Sequence, residues 1–347
     1  MKTEIFGMQN AQGVNELSRA ADIIRRGGLV VFPTETVYGL GGDATNPEAA
    51  RKIYTAKGRP SDNPLIIHIS DPDDAEKYAY TTKTYELLAE KFMPGPLTVI
   101  LRSRDIIPKE TRGGLDTVAV RCPENKIARE LIALSGVPIA APSANLSGSP
   151  SPTKLSHVVD DMSGRVDAII DGGECEIGLE STIVSCDPDG GLTLLRPGKI
   201  TVDELSALFP TLRIADAVTD KLKDGEVAQS PGMKYKHYAP KASLILLDGD
   251  NLTTIDYIKR NYKQGVAVIC YDDDVDSYSE FMPKDSIYPF GESSDMQAQA
   301  KTLFAKLRET DKKSFDTIYA PLPSKKGIGL ALYNRMIRAA AHTIIKL

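Results

Sequence analysis

Apolar residues recur at helical spacing at Val14, Leu17, Ala21 and Ile24, and Gly27-Gly28 ends the pattern, which predicts a helix. Leu29-Val30-Val31-Phe32 is then a short continuous apolar run closed by Pro33, as in a buried strand. A second helix is predicted over residues 47–56, with Asn46 as its cap and Pro47 at its first position. Further strands are predicted at 64–69, 97–101, 117–121, 137–141, 166–171, 181–185 and 192–195, and helices at 85–92 and 126–135. Many strands mixed with helices predict α/β or α+β packing around one sheet. After about residue 209 the pattern lapses: residues 211–229 are polar and lack a period. SPGMKYKHYAP (230–240) is aromatic and basic between prolines. From Ser243 strands at 244–247, 266–270 and 317–320 alternate with helices at 252–262, 296–309 and 329–346, which predicts a small parallel-sheet domain. The expected organisation is a first domain over 1–209, a linker over 210–240 and a second domain over 241–347.

Composition narrows the class. A chain of 347 residues suits one large domain or two ordinary ones. With 41% hydrophobic and 26% charged residues it can bury a core, and disorder is excluded. Cys122, Cys175, Cys186 and Cys270 lie far apart without a CxxC pair, which argues against a disulfide scaffold or a cysteine zinc site. A net charge of −5 excludes a globally basic nucleic-acid coat but allows a local basic pocket. The apolar runs are too short to span a bilayer, and MKTEIFGMQN has no apolar signal-peptide core. A cytoplasmic enzyme away from membranes is the expectation.

Three segments carry candidate chemistry. In FPTETVYGLGGDA (32–44) a strand empties into hydroxyls at Thr34 and Thr36 and a cluster of glycines. This suits a polar-ligand rim, or a turn needing positive φ with the hydroxyls as caps. In TAKGRPSDNPLIIHI (55–69) Lys57 and Arg59 sit two apart near Asn63. They suit a phosphate chain, or cations facing a helix dipole. His68, inside an apolar strand, reads as a core residue or a ligand. In VPIAAPSANLSGSPSPTK (137–154) a strand runs into Ser143, Asn145, Ser147, Ser149 and Ser151, an anion-binding loop or an ordinary surface loop. GxxxxGK[ST], GxGxxG after a strand, HExxH and GxSxG are all absent.

Taken in order, PTETVYGL, Lys57-x-Arg59, DNPLIIHI, PGPLT, TVAVR, Ser143-x-Asn145 and LLRPG resemble the YrdC/Sua5 family. SPGMKYKHYAP and GLALYNR resemble its longer, two-domain Sua5 branch. The resemblance spans nearly the whole chain. It implies an α/β fold: a YrdC-like twisted mixed sheet around a concave, positively charged cavity, plus a smaller Rossmann-like C-terminal domain. The implied activity joins L-threonine, bicarbonate or CO2 and ATP into threonylcarbamoyl-adenylate and pyrophosphate. The product then serves tRNA t6A37 modification through a separate transferase complex.

The resemblance also assigns roles. Lys57, Arg59, Ser143 and Asn145 are the expected catalytic set. Arg59, Asn63, Thr117, Ser143, Ser151, Arg196 and Tyr235 are expected to bind ATP. Thr36, His68, Arg121, Ala141 and Ser181 are expected to bind L-threonine, with Arg121 able to fork onto its carboxylate. Mg2+ is expected to travel with ATP, and no protein side chain is expected to hold a metal. Two rival classes stand beside this. One is a single-strand RNA binder using Lys234, Tyr235, Lys236, His237 and Tyr238, which leaves direct tRNA binding open. The other is a carbamoyl transferase fed by carbamoyl phosphate.

Overall fold

Apolar spacing becomes packing at once in the N-terminal helix. In the computed structural model, which describes residues 2–8, 13–187, 190–220 and 238–347, helix Gly13–Arg25 buries Leu17, Ala20, Ala21 and Ile24. These share a core cluster with Ala128, Leu131 and Ile132 of helix Lys126–Ser135. Helix Pro47–Lys57 begins as its sequence predicts: Asn46 accepts from the Glu48 amide at 2.9 Å and from the Ala49 amide. It ends at Gly58 in the left-handed region, φ 61°. The cap at one end and the glycine at the other fix the last turn, and with it the position of Lys57.

The described chain divides into two compact units. The first carries residues up to Ser147 and again from Ser151 to Asp220; the second carries Gly148–Pro150 and the residues from Tyr238 onward. The first unit is built on one mixed sheet. Its strands run, in spatial order, Glu4–Gly7, Ala168–Asp171, Val30–Phe32, Gly39–Asp43, Ile139–Ala140, Ile66–His68, Thr117–Arg121, Leu97–Ser103, Thr182–Cys186, Leu192–Arg196 and Arg213–Ile214. Ala79–Tyr80 pairs alongside Leu97–Ser103.

Alternation along these strands divides the sheet into two faces. Ile67, Val99, Leu101, Val118, Val120 and Val184 point into the main core. Ile66, Ile100, Ala119, Ile183 and Leu195 form a small cluster on the opposite face. That opposite face also carries Thr117, His68 and Arg121, because they alternate with the core residues.

The second unit is a five-stranded, wholly parallel sheet in the order Ile287–Pro289, Val266–Cys270, Thr317–Pro321, Ser243–Asp248, Ile344–Lys346. Parallel strands with helices between them are what the alternation of residues 243–339 predicts.

Three elements differ from expectation. The last helix stops at Ala339 instead of running to 346. Ala341 and His342 take φ values of 48° and 63°, and Ile344–Lys346 then pairs with Ser243–Asp248. Thr343, Ile344 and Ile345 are β-branched and fit an edge strand better than a helix end. Second, GLGGD is a strand instead of a turn, and its glycines are absent from the positive-φ residues. Gly41 is needed for space: a Cβ there would lie 2.8 Å from both Ile139 Cγ2 and Phe32 Cε1. Third, Arg213–Ile214, within the stretch expected to lack regular structure, joins the first sheet beside Leu192–Arg196. Both residues are exposed, so no apolar alternation marks them. No helix among the described residues is long and apolar enough to cross a membrane.

Candidate active site

The site grows from the polar residues on the sheet face away from the main core. His68 and Arg121 are register partners on neighbouring parallel strands. Both are buried, at 3% and 4% exposure. Thr117 shares their face at the start of the same strand and is partly exposed. Four residues of strand separate it from Arg121 by about 13 Å. The strand is thus a rail long enough for an extended ligand.

The loop after Val30–Phe32 folds over this face as a hydroxyl-stapled turn. Thr34 Oγ1 donates to the Val37 carbonyl at 2.6 Å and accepts from the Thr36 and Val37 amides. Since the Thr34 hydrogen is committed, the 2.8 Å contact between the two threonine hydroxyls is donated by Thr36. Thr36 is left with acceptor lone pairs. Glu35 lies between them, 4% exposed, and its Oε1 accepts from Arg121 Nη2 at 2.6 Å. The Ile177 and Gly178 amides donate to the Glu35 and Thr36 carbonyls and pin the turn from outside.

Lys57 is 3% exposed. Its Nζ donates to the Ser143 carbonyl at 2.5 Å and the Asn145 carbonyl at 2.7 Å, and reaches Asn145 Oδ1 at 3.4 Å. Ser143 Oγ donates to the same Asn145 oxygen at 2.5 Å. Lysine, serine and asparagine therefore form one network, with the lysine gathering the loop carbonyls. Arg59 Nη2 donates to the Asn63 and Pro64 carbonyls, both at 3.2 Å. Ala141 is tied to the neighbouring strand through its amide and the Ile66 carbonyl at 2.9 Å.

At the other side of the face, Arg196 Nε donates to the Ser181 carbonyl at 3.1 Å and Nη2 to its hydroxyl at 3.2 Å. Ser181 Oγ also meets Thr98 Oγ1 at 2.8 Å. Gly198 permits this closeness: a Cβ there would lie 2.5 Å from the Thr182 nitrogen and 2.8 Å from the Glu180 oxygen. Ser151 is fully buried and donates to Glu180 Oε1 at 2.5 Å. Tyr235, the remaining expected contact, lies outside the described residues, as do Lys234, Lys236 and His237.

Several buried polar atoms here have no protein partner: Glu35 Oε2, Arg121 Nε, His68 Nδ1 and both amide atoms of Asn63. Buried polar groups are nearly always hydrogen-bonded, so such a concentration marks where a ligand supplies the missing partners. Burial, reinforced by the Arg121 charge, lowers the His68 pKa to about 3, so the ring is neutral. The His68 and Phe32 rings pack nearly perpendicular to each other, with centroids 6.0 Å apart. Burial also raises the Cys175 and Cys122 thiols to about 12, which leaves them protonated. Among the described residues no cluster of three His, Cys, Asp or Glu side chains is placed to hold a metal.

Two acids belong to the site that pattern reading passes over, Glu35 and Glu180. Glu35 had a signal: it is the only charged residue between Arg26 and Asp43, in a segment otherwise apolar, glycine-rich or hydroxylated. Glu180 had none, because its contact with Ser151 joins residues far apart in the chain.

Residues 22–198 match the Sua5/YciO/YrdC family model, described as telomere recombination. Residues 200–341 match the model for the C-terminal domain of threonylcarbamoyl-AMP synthase. The chain is 43% identical over 330 residues to a Pyrococcus abyssi threonylcarbamoyl-AMP synthase, covering 94% of each. It is 41% identical over 336 residues to the Bacillus subtilis threonylcarbamoyl-AMP synthase, covering 95% of this chain and 94% of that one. The crystal structure of P. abyssi Sua5 complexed with L-threonine matches with a TM-score of 0.90 at 40% identity, over 100% of both chains. On sequence and fold together, the chain belongs to the Sua5 family of threonylcarbamoyl-AMP synthases.

Proposed function

We propose that this chain makes threonylcarbamoyl-AMP and pyrophosphate in the cytoplasm from L-threonine, bicarbonate or CO2, and ATP taken as its Mg2+ complex. The observation that carries this reading is the set of unpartnered buried groups Arg121 Nε and His68 Nδ1 on one sheet face, together with the Asn63 amide in the loop that leads into strand Ile66–His68. Arg121 suits the amino-acid carboxylate. Neutral His68 and the acceptor lone pairs of Thr36 suit its hydroxyl and amine hydrogens. Ala141, just past strand Ile139–Ala140, and Ser181, just before strand Thr182–Cys186, complete the threonine-binding set.

The nucleotide lies along the face towards Thr117, with Arg59, Asn63, Ser143, Ser151 and Arg196 around its phosphates and sugar. A threonine carbamate oxygen attacks the α-phosphorus and pyrophosphate leaves. Such a displacement needs alignment and charge neutralisation more than a protein nucleophile. Lys57 serves by holding the Ser143–Asn145 loop in shape as well as by its charge. The product passes to a separate tRNA threonylcarbamoyl transferase complex.

The test is pyrophosphate release from ATP, with threonine and bicarbonate each omitted in turn. Release requires both, and Arg59→Ala lowers it by roughly 100-fold, the usual effect of removing a charge-stabilising donor. Release that ignores threonine, or that runs on carbamoyl phosphate in place of bicarbonate, overturns the reading.

A further inference from the structure

We propose that the Glu35 carboxylate receives the α-ammonium group of the amino-acid substrate and so selects an amino acid over the deaminated acid of the same shape. The inference rests on the amino-acid substrate of the proposed function and assigns a specificity residue within that site.

The geometry of the Glu35–Arg121 pair is the starting point. An arginine and a carboxylate held only for each other pair best as a fork, with two parallel hydrogen bonds. Here a single bond joins them, Nη2 to Oε1 at 2.6 Å. Glu35 Oε2 and Arg121 Nε are both buried and both lack a partner. An unmatched donor and an unmatched acceptor, each of formal charge, therefore sit side by side. A free α-amino acid presents the complement: a carboxylate and an ammonium separated by one carbon. Its carboxylate would complete Arg121 and its ammonium would complete Glu35.

The groups named above beside Glu35 carry no negative charge of their own. Arg121 is a cation. His68 is neutral, and the Cys175 and Cys122 thiols are protonated. His68 Nδ1 and Thr36 Oγ1 accept hydrogen bonds but carry no charge. The turn that presents Glu35 is fixed by the Thr34 hydroxyl and by the Ile177 and Gly178 amides. The carboxylate is thus in place before substrate arrives, and little ordering is required on binding.

Binding of L-threonine and of 3-hydroxybutanoate, which lacks only the amino group, is measured by calorimetry on the full chain and on Glu35→Gln. A charge-assisted hydrogen bond predicts that the wild-type chain prefers threonine by on the order of ten- to a hundred-fold. In Glu35→Gln that preference falls to about two-fold or less, while 3-hydroxybutanoate binds as before. A wild-type chain that binds both acids equally overturns the proposal and leaves the functional reading intact. Equal losses for both acids in the variant also overturn it, since Glu35 would then only support Arg121. A wild-type chain that neither binds threonine nor releases pyrophosphate with it sinks the functional reading itself. If Glu35→Gln does not fold, Glu35→Asp serves instead, because it keeps the charge but withdraws it by one carbon. Loss confined to threonine supports the proposal, and equal loss for both acids overturns it.

Discussion

The two units of this chain are both sheets flanked by helices, yet they differ in where their polar groups are left unmatched. Among the described residues, every buried side-chain polar atom that lacks a partner lies in the first unit. The strand ends of the second unit carry exposed acids that hydrogen-bond to their own chain. At the ends of its neighbouring strands Val266–Cys270 and Ile287–Pro289, Asp272 Oδ1 accepts from the Gly291 amide at 3.0 Å. There Asp273 Oδ2 accepts from the Ser293 amide at 3.0 Å and its hydroxyl at 2.6 Å. The carboxyl ends of parallel strands are where open α/β sheets usually bind ligands. In this unit the protein's own acids occupy that position. Fold class alone would therefore point to either unit, whereas unmatched hydrogen-bonding groups point to one.

The sharpest way to break this contrast is to unbalance the buried ion pair of the first unit. Arg121→Met leaves the Glu35 carboxylate buried and alone, which should lower stability by about 3–5 kcal/mol. Adding Glu35→Leu removes the stranded charge and should recover most of that loss, since apolar replacements of buried pairs are often neutral or better. Threonine-dependent pyrophosphate release should stay lost in both. Denaturant titration and the pyrophosphate assay separate the two effects. A double variant no more stable than the single one, or one that keeps activity, would mean the pair is not held for a ligand.

How far such a site can be read from sequence depends on what holds each residue. The strand TVAVR is legible because alternation alone places Arg121 opposite the core. The cap of helix Pro47–Lys57 is legible because Asn46 and Pro47 are local signals. Lys57 and Arg59 stand out as a close pair of cations, but not the fact that Lys57 holds Ser143 and Asn145 through their carbonyls. That contact spans some eighty-six residues and leaves no local trace. Gly41 reads as a possible turn former and Gly198 carries no reading of its own, yet both are required by neighbours that only the folded sheet brings close. The strand Ile344–Lys346 was hidden for a related reason. Its β-branched residues continue an apolar helical pattern, and the preceding reversal at Ala341 and His342 uses φ values that those residue types do not advertise. Local propensity fixes elements, while long-range pairing fixes the site.

A smaller effect sharpens the comparison through pH. His68 has its pKa lowered to about 3, first by burial and then by the Arg121 charge, against about 6.5 in an unfolded chain. Between those values the unfolded chain binds a proton that the folded chain refuses. Stability contributed by neutral His68 is therefore complete above about pH 6.5 and falls as pH drops towards 3, by up to about 1.4 kcal/mol per pH unit. His68→Gln removes this contribution. Denaturant titrations at pH 7, 6, 5 and 4 should show a shallower acid decline in the variant. Parallel curves would mean that the ring reaches solvent and takes up its proton in the folded state.

The smallest expected effect tests the other half of the contrast. If the strand ends of the second unit are filled by their own carboxylates, they neither attract phosphate nor need their charge for substrate. Asp272→Asn and Asp273→Asn keep an oxygen to accept from the Gly291 and Ser293 amides, so both loops retain their hydrogen bonds. The Asp273 pKa lies below its ordinary value because the Ser293 hydroxyl and amide favour the ionised form, which shows that those contacts are made to the charge. Neutralising both acids should still leave KM for ATP and threonine-dependent turnover within about two-fold, the range of an ordinary surface change. A tenfold or larger fall in either parameter would place a substrate contact among the strand ends of the second unit, and unmatched buried polarity would no longer suffice to find where this molecule binds.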